Sequence, residues 1–268
     1  MNHLLAGTVA AAAGVAAIAA ARPGGRRSAT PEARQGSEWT WHGAVAAGKT
    51  LEIRGINGSI DAEPASGSEV VVTATKTADH SDPAEVKIAV VQTAGNVTIC
   101  AVYPGSSNRC GSGDDYRMNT RNNDVQVRFH AQVPAGVAFT ARNVNGAVAA
   151  AGLAGPVDVG TVNGAVRVET SAGEARGHTV NGSVTATVRG GGSNPLSFET
   201  VNGGVTVSLP RDLNADLDAA TVNGSIETDF PVTVTGRLGR HHLKGAIGRG
   251  GRPLKIATVN GTVRLRAL

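Results

Sequence analysis

The chain has 268 residues, 36 of them glycine and only 8 aromatic, with 17% charged and a formal net charge of +4. Glycine without a three-residue period excludes collagen, 41% hydrophobic content excludes a wholly disordered chain, and two cysteines are too few for a disulfide-dense scaffold or a four-ligand zinc site. So few aromatics also argue against stacking on bases or sugars as the main activity.

Residues 1–21 carry no Lys, Arg, Asp or Glu, and Leu4–Ala21 is an apolar, Ala-rich run with small-x-small sites at Ala17-Ile18-Ala19 and Ala19-Ala20-Ala21. This pattern predicts a signal peptide over 1–21, no transmembrane span in the mature chain and an extracytoplasmic location. Residues 22–38, rich in Arg, Pro, Gly and Ser, read as a disordered linker. Residues 39–140 read as a less regular β region that caps the repeats of 141–268. Its strands are expected at Trp39–Trp41, Lys49–Ile53, Val70–Lys76, Val86–Gln92, Val97–Val102 and Val125–Val133. Gly43–Thr50 matches the phosphate-loop pattern GxxxxGK[ST], but that chemistry needs a helix after the loop. Leu51–Ile56 alternates like a strand instead, so the motif reads as a turn before the first strand.

Cys100 and Cys110 flank Pro104-Gly105-Ser106-Ser107-Asn108, a turn-forming cluster able to bring them together. A disulfide there stabilises by about 2–3 kcal/mol and forms outside the cytoplasm, the alternative being two free buried thiols. A polar loop spans residues 105–124.

Residues 141–268 are dominated by self-similarity. Asn-Gly recurs at Asn145-Gly146, Asn163-Gly164, Asn181-Gly182, Asn202-Gly203, Asn223-Gly224 and Asn260-Gly261, with intervals of 18, 18, 21, 21 and 37 and an earlier outlier at Asn57-Gly58. Short β-branched runs between these pairs predict an all-β fold: a β-solenoid of stacked 18–21-residue coils with Asn side chains bonded along the stack. The last interval divides into 21 and 16 if Lys244-Gly245-Ala246-Ile247 is a degenerate copy. Seven coils at the strand spacing would extend roughly 30–35 Å, around a Val-filled core too slim for aromatics. The alternative is a hairpin-built β-sandwich.

Several of these segments resemble a known family. They are Gly48-Lys49-Thr50-Leu51-Glu52-Ile53 leading to Asn57-Gly58-Ser59-Ile60, Ile99-Cys100-Ala101-Val102-Tyr103-Pro104, Val133-Pro134-Ala135-Gly136-Val137, and the Thr-Val-Asn-Gly repeats with Ala215-Asp216-Leu217-Asp218 before one of them. Together, over about residues 45–268, they resemble the bacterial "putative adhesin" β-strand-repeat domains. The resemblance implies an exported cell-envelope β-repeat protein and brings no catalytic residues with it.

Chemistry-bearing clusters are sparse. Seven scattered histidines show no metal spacing, and neither a catalytic set nor a cofactor or metal is expected. Charge, however, is unevenly placed. Phe230–Leu268 holds eight basic residues and no acid, while the rest of the chain holds 17 basic and 21 acidic residues. Arg237, Arg240, Lys244, Arg249, Arg252 and Lys255 therefore form the candidate surface for an anionic envelope partner (lipid, polymer or protein), with nucleic acid not expected. The leading function is a non-catalytic, adhesin-like interaction or scaffolding surface. A self-stacking envelope polymer is the alternative, and a β-helix polysaccharide-active enzyme a minor one.

Overall fold

The alternation of Val and Thr between Asn-Gly pairs builds strands whose every second side chain points inward. The computed structural model describes residues 37–171, 173–234, 239 and 241–268, so the expected signal peptide and nearly all of the linker lie outside the described residues. The first strands are β1 (Glu38–Gly43), β2 (Thr50–Arg54), β3 (Ile60–Pro64), β4 (Val70–Thr77), β5 (Lys87–Thr93), β6 (Asn96–Val102) and β7 (Gln126–Val133). Next come β8 (Ala138–Arg142), β9 (Val148–Leu153), β10 (Val157–Asn163), β11 (Val166–Thr170), β12 (Ala175–Asn181), β13 (Val184–Val188), β14 (Leu196–Asn202) and β15 (Val205–Leu209). The chain ends with β16 (Ala215–Asn223), β17 (Ile226–Thr228), β18 (Val232–Val234), β19 (His242–Ile247), β20 (Arg252–Asn260) and β21 (Val263–Ala267).

These strands form one 10-stranded and one 11-stranded sheet, face to face. The strands flanking an Asn-Gly turn do not pair with each other. Each crosses to the opposite sheet and pairs in parallel with its counterpart one coil away, as β10 does with β12 and β11 with β13. That pairing makes a solenoid and excludes the hairpin-built sandwich. The phosphate-loop match is likewise a turn, with Gly48 at φ +78° and β2 starting directly after it.

Eight coils stack in the spatial order β6/β7, β2/β3, β8/β9, β10/β11, β12/β13, β14/β15, β20/β21, β16/β17. At both ends, therefore, the chain places a later coil out of sequence order. The degenerate copy expected at Lys244–Ile247 is instead β19, antiparallel to β16, and the interval of 37 arises because β20/β21 returns to lie inside β16/β17. β8 straddles residue 140 and pairs with β2 on one side and β10 on the other, so the sheets run through the expected boundary.

Antiparallel strands close both ends. β5 edges one sheet and β4 with β1 the other, where Trp39 and Trp41 are buried; β19 and β18 cover β16 at the far end. Between the sheets a single apolar core runs the length of the stack. It does admit aromatics: Phe129, Phe139 and Phe198 are buried. Phe198 packs beside Gly177 in the neighbouring coil, where a Cβ would crowd Val166 and Val168 at 3.2–3.3 Å and touch the Phe198 ring at 3.4 Å.

Candidate interaction surface

Each residue of the Thr-Val-Asn-Gly repeat has a separate role at the turn edge. The Thr points inward and its hydroxyl donates to the glycine carbonyl of the adjacent coil: Thr161 to Gly146 (3.0 Å), Thr179 to Gly164 (2.9 Å), Thr200 to Gly182 (2.8 Å), Thr258 to Gly203 (2.8 Å) and Thr221 to Gly261 (3.0 Å). Asn143 does the same for Gly58 at 2.7 Å. The Asn side chains form a continuous ladder in which each Nδ2 donates to the Oδ1 before it. It runs Asn57, Asn145, Asn163, Asn181, Asn202, Asn260, Asn223, with distances of 2.7–2.9 Å. Glycine is required because the coils approach closely there. A Cβ on Gly146, Gly164, Gly182, Gly203, Gly261 or Gly224 would fall on the preceding glycine's carbonyl oxygen. The Val between Thr and Asn faces outward. Val162, Val180, Val201, Val259 and Val222 stand 37–60% exposed in one column beside the ladder, and the seven large exposed hydrophobics among the described residues include only two others.

Next to this column, the outer face of the 11-stranded sheet carries a shallow groove of about 590 Å³. Arg142 reaches across one coil to Asp158 (2.7 Å), Arg176 pairs with Glu174 (2.6 Å), and Lys255 pairs with Glu199 (2.8 Å). The His178 ring covers Gly160, where a Cβ would strike it. Burial against that backbone, with the nearby Arg142 charge, lowers the His178 pKa, so the ring is neutral at pH 7. Burial also opposes the Glu199 charge, but hydrogen bonds from Lys255 and Ser197 outweigh it and hold the carboxyl ionised. The groove is therefore charge-balanced rather than basic.

The predicted anion-binding residues are dispersed by the fold. Arg252 is buried, and its guanidinium donates to the carbonyls of Asn194 (2.6 Å), Gly190 (3.3 Å) and Gly173 (3.0 Å), tying the β11–β12 and β13–β14 return loops together. It is a structural residue and not part of a surface. Lys255 is neutralised by Glu199, while Arg264 and Arg266 pair with Glu227 and Asp229. Arg237 and Arg240 lie outside the described residues. Of the six, Lys244 and Arg249 remain exposed with no carboxylate partner among the described residues.

The expected disulfide joins Cys100 to Cys110, with Cα atoms 5.6 Å apart. Cys100 lies on the outer face of the 11-stranded sheet, in line with Arg54 and Arg142. The bond therefore folds the polar loop back over that face, where the Tyr116 ring sits 4.8 Å from the Arg54 guanidinium. Asn108 pins the loop by bonding the backbone of Asn119 in both directions at 2.8 Å. Among the described residues no cluster of His, Cys, Asp or Glu has the form of a metal site, and no helix is long and apolar enough to cross a membrane.

This two-sheet stack is similar to solved structures. A "putative cell adhesion protein" from Clostridium sporogenes aligns over 86% of this chain and 100% of its own, with 12% identity and a TM-score of 0.51. A "putative adhesin" from Bacteroides fragilis aligns over 86% and 97%, with 8% identity and a TM-score of 0.23. At such identities the first likeness concerns the fold alone. No curated protein matches the chain. The family model described as Toastrack DUF4097 matches residues 48–266, nearly the whole of the two sheets, and the chain belongs to that family.

Proposed function

We propose that this chain is an exported, non-catalytic, adhesin-like protein of the cell envelope that holds its partner along the turn edge of the solenoid. One observation carries the reading: among the described residues, most of the large apolar side chains left in solvent stand in a single column, one in each of five successive coils, beside a ladder of aligned carboxamides. Apolar side chains scattered singly over a surface need no explanation, but a contiguous row marks an interaction site. The disulfide supports an oxidising compartment. Lys244 and Arg249, two of the six residues expected, add a smaller cationic patch on the β19 end layer, set back from the turn edge, with Arg249 beside Asn214 at the opposite end of β16.

The self-stacking polymer is less well supported, because stacking end to end needs both ends, and at the β16 end the edge strands β17 and β18 are only three residues long, a length that resists strand addition.

The test is retention of labelled protein by envelope fractions of the native host. Replacing Val162, Val180 and Val201 with Thr keeps the β-branched shape and should reduce retention at least tenfold. The pair Lys244→Glu and Arg249→Glu should reduce it about threefold, and more at low salt. Retention unchanged in the valine variant overturns the turn edge as the binding surface.

A further inference from the structure

A second concavity lies on the opposite sheet, where the asparagine ladder stops. The N–H of Val127 donates to Asn57 O at 2.8 Å, so the chain entering β7 occupies the place of a preceding turn and no asparagine continues the ladder. Here the outer face of β4 and β7, with Thr75 opposite Arg128 and Thr77 opposite Gln126, meets the first two rungs, Asn57 and Asn145. Together they enclose a pocket of about 470 Å³, within the range of small-molecule sites.

Apart from two glycines every lining residue carries a polar side chain, and one group among them lacks a counterpart. Arg128 is exposed and has no hydrogen-bond or carboxylate partner among the described residues. The acids near it are committed elsewhere. Asp124 accepts the backbone N–H groups of Asp79 (3.1 Å), His80 (2.9 Å) and Ser81 (2.8 Å), with Ser81 the main cause of its lowered pKa. Asp61 accepts from the Ser59 hydroxyl at 3.0 Å, and Glu63 pairs with His130 at 3.1 Å. What the pocket offers is one forked, permanently charged donor, with the Asp124 carboxylate in the lining held by the 79–81 backbone and the remaining side chains hydroxyls and carboxamides that both donate and accept. It has no aromatic platform for a base or an uncharged sugar ring.

We propose that this pocket binds a sugar unit bearing a carboxylate or phosphate. Arg128 takes the anion in a bidentate contact, while Thr75, Thr77, Gln126 and the two asparagines bond the ring hydroxyls. The pocket sits at the end of the turn edge, on the first two rungs, and none of the five valines of the column lines it, so the Val162, Val180 and Val201 variants leave it intact and the two proposals fail separately.

The experiment is amide NMR titration of the full chain with glucuronate, glucose 6-phosphate and glucose. The expected result is saturable shifts at Gly58, Gly146 and Gln126 with one or both anionic sugars, identifying the anion, and at least tenfold weaker binding of glucose. Arg128→Gln, an exposed change that leaves the fold intact, should abolish the preference for the anion. Shifts from neither anionic sugar, equal affinity for glucose, or an anion preference surviving in R128Q would each overturn the proposal.

Discussion

From β10/β11 to β14/β15 one coil repeats the next: the same inward Thr, the same rung of the ladder, and the same glycine under its neighbour's carbonyl. The ends use contacts that occur once. At the β1 end these are buried Trp39 and Trp41, the Lys76 ammonium bonded to Val86 O at 3.0 Å, and the disulfide. Toward the other end it is Arg252, in the β20 layer, gathering the β11–β12 and β13–β14 loops. A solenoid's middle is thus fixed by a rule each coil obeys toward its neighbour, whereas its ends need individual solutions to stop the stacking. A lesion in the middle should therefore damage the register of everything stacked on it, and a lesion at an end should stay local.

Gly182→Ala should be the most damaging substitution. Gly182 does not have a left-handed φ, so alanine is permitted by the backbone, and the added methyl fails only because Gly164 O occupies its place. We expect a loss of about 3 kcal/mol, the upper range for overpacking, against no change for Gly191→Ala, which meets nothing. Thermal melts of the two variants compare close approach with mere glycine content; equal melting temperatures would remove the packing account of the repeat.

Next is Arg252→Met, which keeps the apolar stem but removes three hydrogen bonds to part-buried loop carbonyls, at about 2 kcal/mol. Hydrogen exchange should show the loss at the loops holding Gly173, Gly190 and Asn194, with the β8–β11 coils unaffected. Uniform loss along the stack would contradict the local character of the end.

The mildest change is a slope. Burial, reinforced by the Lys87 charge, lowers the Lys76 pKa below 10.5, with Asp82 opposing. The unfolded chain then binds more protons between the lowered value and 10.5, so this group's destabilisation is full at neutral pH and fades as pH rises through that window. Relative to Lys76→Met, which strands the Val86 carbonyl at every pH but lacks the titration, the parent protein should gain stability as pH rises toward 10.5 in denaturant titrations. A constant difference would mean that the ammonium is not penalised.

Much of the middle could be read directly from the residues. The Thr-Val-Asn-Gly spacing located six turns and the ladder, because each rung depends only on its own coil and the next. The ends were less legible for the same reason. Nothing local in Asn260-Gly261 says that Asn260 is the rung between Asn202 and Asn223, since that order is decided by where the β18–β19 excursion returns. The basic tail misled similarly. Its cations looked uncompensated along the chain, yet Glu199, Glu227 and Asp229 lie beside Lys255, Arg264 and Arg266 once the strands stack. Arg252 shows the limit most clearly: an arginine in a basic run carries no sequence mark of burial. The Arg128 pocket had a faint signal, the alternation Val125, Val127, Phe129 that turns Gln126 and Arg128 outward.

The swapped order of the final coils also sets the timetable of assembly. A polypeptide that becomes available from its amino end can add coils one upon another as far as β15. The layer that must come next is encoded after β16–β19, so β16/β17 has no seat until β20/β21 arrives. Residues 252–268 are thus a keystone. Clipping them would not shorten the solenoid by one layer but would detach its entire end, leaving the β14/β15 edge bare, so that only a chain delivered through β21 can close this end of its stack.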